Sequence, residues 1–513
     1  LALGIAYFAA DKFLLDPARD EARVSEAIEQ GRGEAIVESY GDKSIVVLPF
    51  ENLSSDPEQE FFSDGMAEEL LNLLAQIPEL RVISRSSAFS FKGKNATVAE
   101  IAEQLNVAHV LEGSVRKSGD RLRITAQLID ARTDSHLWSE TYDRSLDDIF
   151  TIQDDIAGQV VEQLRIKLLG TTPAAKRVNP QAYLLRMQAR QMIDQLDDDY
   201  QRIEDLLKQV IALDPDYADA LVDLSRLYSL YRRGSSATGE MNEFFATSTA
   251  EDWNRLSTSA LTRALELEPD NARAVALSAG RKLKQLEFQG AATGMERALT
   301  LDPTDPEVLR YSSITTAVIG RFDVAVPLAE YATERDPLCS LCIFALGHTY
   351  IRAGLLDKAE SSVRTYVATG RGGRHTLGTL LLLKDEPQQA LESFRMIDVD
   401  EQPHLAPWRL QGEALALHAL GSQQDSADAL LALESDWGQK LPHLPAEVYA
   451  WTGRADLAFE WLANIEKPRW IDPFSPLLEP LREDARWVPY WQQFGQSPVE
   501  LTAIRFDPVL PDS

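Results

Sequence analysis

The sequence is poor in cysteine, with two residues in 513. That excludes a disulfide-knit scaffold and a four-cysteine zinc site. It is also poor in positive charge: Lys and Arg total 51 against 80 Asp and Glu, a net charge of −29. So acidic a chain repels phosphate backbones, which sets nucleic acid aside as a partner of this segment. Its seven histidines (109, 136, 348, 375, 404, 418, 443) are dispersed. None stands in an HExxH or paired spacing, so a zinc enzyme is not expected. No GxSxG or GxGxxG occurs, and Lys92-Gly93-Lys94-Asn95 lacks the earlier glycine and the following Ser/Thr of a phosphate loop. No catalytic, cofactor-binding or metal residue is assigned, no cofactor is expected, and the chain is read as non-enzymatic.

Apolar residues make up 44% and charged residues 26%, so a sizeable core is available. At ~150 residues per domain the length suggests three to four units, or one domain plus a repeat array.

Long apolar runs are scarce too. Leu1–Ala10 (LALGIAYFAA) carries no charge, and the chain starts without Met. Ten helical residues reach ~15 Å, whereas a span needs ~20 residues. Residues 1–15 are expected to be the end of a truncated transmembrane helix; a short buried helix or the tail of a signal segment are the alternatives. Residues 16–42, rich in Glu, Ala, Arg and Gln, read as a helical linker. On this reading the chain is a single-pass inner-membrane protein with everything after about residue 20 in the periplasm.

Residues 43–170 alternate strand and helix signals. Ser44–Phe50 (SIVVLPF) reads as a buried strand. Asp56-Pro57 is expected to open a helix carrying Phe61, Phe62, Met66, Leu70 and Leu74 on one face. LRVIS (80–84) is a second strand, and Thr97 with Glu100 forms a capping box for a helix near 98–105. Residues 107–116 and 121–130 form a hairpin turning at Lys117–Asp120, residues 135–142 a further strand, and Ile149–Leu169 a long amphipathic helix. The expected order, β-α-β-α-β-β-β-α, gives an α+β domain with a mixed sheet.

These residues carry a resemblance. The runs "LPFENLSSDPEQEFFSDGMAEELLNLL", "LRVISRSSAFSFKGK", "LEGSVRKSGDRLRITAQLIDARTDSHLWSETYDR" and "IFTIQDDIA" resemble the TolB amino-terminal-like domain. That resemblance implies an α+β module outside the cytoplasm in membrane-anchored bacterial regulators. Their upstream part is a winged-helix DNA-binding domain (CadC-like proteins), a class III adenylate cyclase or a protein kinase. It supplies no catalytic residue.

From about 180 to 465 a string recurs: Leu213-Asp-Pro215, Leu267-Glu-Pro269, Leu301-Asp-Pro303 and Arg335-Asp-Pro337, the last three prolines falling 34 residues apart. Ala291 and Ala298 precede Pro303 as Ala325 and Ala332 precede Pro337; Gly320–Ala325 is echoed by Gly354–Ala359, and Gly347 and Tyr350 fit a first-helix pattern. This resembles the tetratricopeptide repeat, an all-α solenoid of helix pairs. Small residues sit where helices approach closest, and proline closes the second helix. Six to seven repeats are expected, with Arg232–Asp252 a loop insertion and 466–513 a cap on the last repeat.

Three features carry competing readings. Cys339-Ser-Leu-Cys342 stands at a helix start: two buried packing residues, a disulfide, or a redox site. Arg81, Arg85, Phe89, Phe91, Lys92 and Lys94 interleave cations and aromatics, a nucleic-acid pattern opposed by the overall charge. Asp147-Asp148 and Asp197–Asp199 read as helix caps or solvated faces.

The function expected is that of a sensory or protein-interaction segment. It holds a protein or peptide partner in the solenoid groove and relays to an upstream effector. The alternatives are a self-associating periplasmic or surface scaffold, a homo-oligomer, and the carboxy-terminal part of a class III adenylate cyclase.

Overall fold

The computed structural model describes residues 43–508 apart from 55, 57–58, 78–79, 165–176, 196–198, 238–249, 370–371, 401, 467 and 469–472. The membrane-helix and linker expectations for 1–42 lie outside the described residues. Among the described residues no helix is long and apolar enough to cross a membrane. The chain divides after Pro180 into two compact units.

The first unit is a mixed sheet with helices. Its strands are β1 (Ser44–Val47), β2 (Glu51–Asn52), β3 (Arg81–Val82), β4 (His109–Ser118), β5 (Arg121–Asp130) and β6 (Ser135–Ser145). The order across the sheet is β3-β1-β4-β5-β6, with β2 also paired to β4. β1 runs parallel to β3 and β4, and β4-β5-β6 form an antiparallel meander. The period of two in β5 is visible in burial: Leu122, Ile124, Ala126 and Leu128 are inside, and Arg121 and Arg123 outside. The helices are α1 (Glu60–Ala75), α2 (Arg85–Phe89), α3 (Val98–Leu105) and α4 (Ile149–Gln163). Ala88, Phe91, Ile101 and Leu105 cluster with Val46 and Val110 of the sheet. The Thr97 box is formed: Thr97 Oγ1 accepts from the Glu100 N–H at 3.2 Å, and the Glu100 carboxylate accepts from the Thr97 N–H at 2.8 Å.

The sequence expectations shift in two places here, and a third lies partly outside the described residues: α1 is described from Glu60, with the Asp56 carbonyl accepting from the Gln59 N–H at 3.1 Å, while Pro57 is not described. The second strand shrinks to Arg81–Val82. Short α2 follows it, five residues too few to show a helical period.

The second unit is a stack of eight helix pairs among the described residues. They are pair 1 (α5 Pro180–Gln195, α6 Tyr200–Leu213), pair 2 (α7 Ala218–Ala237, α8 Ala250–Leu267), pair 3 (α9 Ala272–Lys284, α10 Phe288–Leu301) and pair 4 (α11 Pro306–Val318, α12 Phe322–Arg335), followed by four more. These are pair 5 (α13 Ser340–Arg352, α14 Leu356–Ala368), pair 6 (α15 Arg374–Leu383, α16 Pro387–Arg395), pair 7 (α17 Ala406–Ala419, α18 Gln423–Trp437) and pair 8 (α19 His443–Trp451, α20 Ala455–Leu462). Eight exceeds the six to seven expected, because the Pro-marked string disappears after Pro337 and the later pairs show only in apolar spacing. The supposed loop 232–252 is also reduced: α7 continues to Ala237 and α8 starts at Ala250.

The packing residues lie inside the stack. Ala291, Ala298, Ala325 and Ala359 are fully buried, Ala332 nearly so, and Tyr350 is buried with its hydroxyl donating to Glu330 at 2.6 Å. At Gly347 an added Cβ would sit 2.8 Å from Val363 Cγ2 of the second helix in its pair, so α13 and α14 touch only because that side chain is missing.

The carboxy-terminal segment does more than cap the last pair. Leu477, Leu478, Trp487, Tyr490 and Trp491 join the core of pair 8 with Leu444, Val448 and Leu462, through α21 (Trp487–Gln492) and the turn before it. Beyond them, α22 (Pro498–Thr502) and Phe506 enter the core of pairs 3 and 4, with Val275, Met295, Leu309 and Leu328.

Candidate functional site

The first helices of successive pairs lie side by side and carry a chain of polar residues. In pairs 5 to 8 that chain is uncharged until its end. His348 on α13 meets Thr376 on α15 at 3.1 Å. His375 on α15 meets Gln411 on α17 at 3.1 Å; Gln411 donates to Glu447 on α19 at 2.7 Å, and Glu447 accepts from Ser475 at 2.9 Å. Gln411 is wholly buried, so both ends of its amide are satisfied inside the stack. Burial pushes the imidazoles of His348 and His375 down to about 4, with Arg352 adding repulsion at His348 and the Gln411 bond opposing the shift at His375. His443, at the start of α19, is lowered to about 4 by burial. These rings are therefore neutral at physiological pH, and those of His348 and His375 hold the register of neighbouring pairs by hydrogen bonds.

In pairs 1 to 4 the same face is ionic. Glu307 on α11 lies 3.9 Å from Arg226 of α7 and 3.8 Å from Arg310. Burial alone would raise its carboxyl, but Arg226, Arg310, Arg273 and Arg190 together hold it down to about 2. Those arginines come from pairs 1, 2, 3 and 4, so the four first helices converge on one carboxylate. Arg273 binds Asp305 at 2.7 Å, and Asp305 in turn caps α11 by accepting from the N–H groups of Glu307 and Val308. Nearby, Arg186 of α5 pairs with Asp223 of α7 at 2.7 Å, both buried.

The residues singled out in the sequence fall elsewhere. Ala291, Ala298, Ala325, Ala332, Gly347 and Ala359 occupy helix–helix contacts and present nothing to a ligand. Cys339 and Cys342 are joined in a disulfide at the start of α13, where Cys339 Sγ also accepts from the Cys342 N–H at 3.0 Å. The Asp336 carboxylate lies within 4.8 Å of both sulfurs. Two bonded sulfurs offer no thiolate, so the trio does not suit a metal ion. Three of the cations of the 81–94 run are engaged by groups of the same unit, while Lys94 is exposed. Arg81 donates to the Asn106 carbonyl at 2.6 Å, Arg85 pairs with Glu68 at 3.0 Å and stacks over Phe89, and Lys92 bridges Glu60 and buried Asp64 at 2.7 and 2.6 Å. Burial raises the Asp64 carboxyl, with Lys92 opposing. Asp148 closes a capping box with Ser145, and Asp199 caps α6; Asp197 and Asp198 lie outside the described residues.

The polar chain of the solenoid was not visible as a set beforehand. His348 and His375 read as dispersed, and the signal that links the set is the 36-residue step from His375 to Gln411 and from Gln411 to Glu447.

Three comparisons with known proteins bear on these units. Residues 41–159 match the model of the "HilA/YgeH-like transcriptional regulator, second domain". A protein of Rhizobium meliloti (strain 1021) named "Putative adenylate cyclase 3" is 42% identical over 187 residues, 36% of this chain and 32% of that one. The chain thus matches about a third of the length of this curated relative. Among solved structures, the hetero-tetramer Cut9–Hcn1 of APC/C is similar at 15% identity and a TM-score of 0.39, over 68% of this chain and 60% of that one. A tetratricopeptide repeat protein from Parabacteroides merdae is similar at 13% identity and a TM-score of 0.34, over 56% of this chain and 99% of that one. The architecture is that of an α+β unit followed by a tetratricopeptide-like solenoid.

Proposed function

We propose that this chain is the partner-binding part of a bacterial signalling protein whose effector domain lies upstream. The solenoid holds a protein or peptide segment along the face formed by its first helices, and the chain itself performs no catalysis. The observation that carries the reading is the convergence of Arg190, Arg226, Arg273 and Arg310 on Glu307: a built, polar face assembled from four pairs. The likeness of the sheet unit to a transcriptional-regulator domain supports a regulatory setting. The TolB-like character of that unit, a membrane tether through Leu1–Ala10, and placement outside the cytoplasm belong to the same proposal. Burial along extended solenoid faces is how such stacks recognise segments of other proteins. The test is deletion of 181–508 from the complete native protein, followed by measurement of effector output with and without stimulus. Output that changes supports the reading; output identical in both conditions overturns it.

A second reading concerns the effector. Similarity to a protein named as an adenylate cyclase favours a cyclase upstream over a winged-helix regulator. Cyclic AMP formation by the complete protein, absent from the 513-residue chain alone, would establish it.

A further inference from the structure

The solenoid already holds a peptide: its own. After the cap helix α21, Gly495 takes a φ of +65° with open space around it, and the chain turns away from pair 8. The next twelve residues, Ser497–Pro508, run back to pairs 3 and 4. Their attachment is sparse. Leu501 and Phe506 are fully buried in the core of those pairs, with Ile504 packed beside them. Arg321 Nη1 donates to the Ile504 carbonyl at 3.3 Å, and the Asp507 N–H donates to Glu296 at 2.6 Å. Ser497 at its start is buried, and away from the anchors the segment faces water: Val499 is 72% exposed, and the Arg505 side chain 85%. The preceding part of the tail is built differently, with Leu477, Leu478, Leu481, Trp487 and Trp491 sunk into the last pair. Phe474, from that preceding part, also reaches the surface of pair 4: at Gly320, φ +78°, an added Cβ would lie 2.3 Å from its ring, and it meets Phe322 edge-on at 5.8 Å. A permanent cap spreads its anchors along its length; a short segment held by Leu501 and Phe506, with Ile504 beside them and two main-chain bonds, has the form of an exchangeable ligand.

We infer that the surface of pairs 3 and 4 is a docking site for a short apolar–aromatic segment, occupied at rest by residues 497–508 and opened to a partner when they leave. The partner is a protein segment of the same chemistry: an aliphatic side chain and, five residues on, an aromatic one, with a main-chain carbonyl for Arg321 and an N–H for Glu296. The inference rests on the protein-binding reading and names where binding is regulated. Its test uses the chain's own segment as probe, so it stands or falls without any partner or effector output.

A labelled peptide of sequence SPVELTAIRFDP is titrated into the 513-residue chain and into the chain ending at Gln496. The expected result is binding at least ten-fold tighter to the shortened chain. Phe506→Asp in the full chain raises peptide affinity in the same way, and Arg505→Ala leaves it unchanged. A peptide carrying Asp at both anchor positions does not bind. Equal affinity for both chains, or no binding to the shortened chain while its helical circular dichroism is intact, overturns the inference. So does loss of helical structure in both the shortened chain and the Phe506→Asp variant, because a segment the fold needs is not one it can exchange.

Discussion

The sheet unit and the solenoid differ in how far along the chain their contacts reach. In the sheet unit the Ala108 N–H binds Ser44 Oγ across 64 residues, and β1 lies between strands that begin at residues 81 and 109. In the solenoid the polar chain climbs in steps of 28 or 36 residues, from one pair to the next. A fold closed by distant pairings is lost as a whole, whereas a stack can be loosened one pair at a time. The exception lies at the carboxy-terminal end, where Arg321 reaches Ile504 across 183 residues and Glu296 reaches Asp507 across 211.

Acid should separate the two units most. His348, His375 and His443 have folded-state values near 4, below the ordinary 6.5. Between those values the unfolded chain binds more protons, so this stabilisation is complete above pH 6.5 and is lost as pH falls toward 4. From pH 7 to 5 the three rings cost up to about 5 kcal/mol together, and less where water reaches them. Chemical denaturation followed by amide exchange in α13, α15 and α19 measures it, and replacing His375 by Gln should remove part of the pH dependence.

Trp491→Ala should cost about 4 kcal/mol, the range for emptying a large buried aromatic site. Exchange should rise in pairs 7 and 8 and leave the sheet unit untouched. Leu111→Ala, at a fully buried position of β4, should cost about 3 kcal/mol. There the loss should appear at every strand at once. If it stays local to β4, the contrast between the units fails.

Smaller changes sharpen the same contrast. Ala325→Leu forces α12 from its neighbour and should cost about 2 kcal/mol through overpacking, read as a lower melting temperature of the solenoid transition. Thr97→Ala removes one half of the capping box and should cost about 1 kcal/mol, read in the sheet unit's transition alone.

The sequence made the fold class legible because two periods dominate it. Leu122, Ile124, Ala126 and Leu128 alternate with polar residues, and Ala291, Ala298, Ala325 and Ala332 keep a 34-residue step. Short elements escaped: α2 is too brief for a period. The candidate site was nearly illegible. Glu307 and Arg226 are 81 positions apart with no repeat marker tying them, and a buried Gln411 looks in sequence like any surface glutamine. The tail read as a cap because its tryptophans are conspicuous; that Leu501 and Phe506 go to a different pair depends on how tightly the stack winds, which no local pattern records.

That winding has a mechanical consequence. Phe474 presses on Gly320 in pair 4 while its neighbour Ser475 bonds to Glu447 in pair 8. The stack is thus a spring with two distant coils clasped together. Pulled from its ends, it should extend stiffly until the clasp parts and then lengthen softly, pair by pair, so tension arriving along the chain would be felt first at residues 474–475.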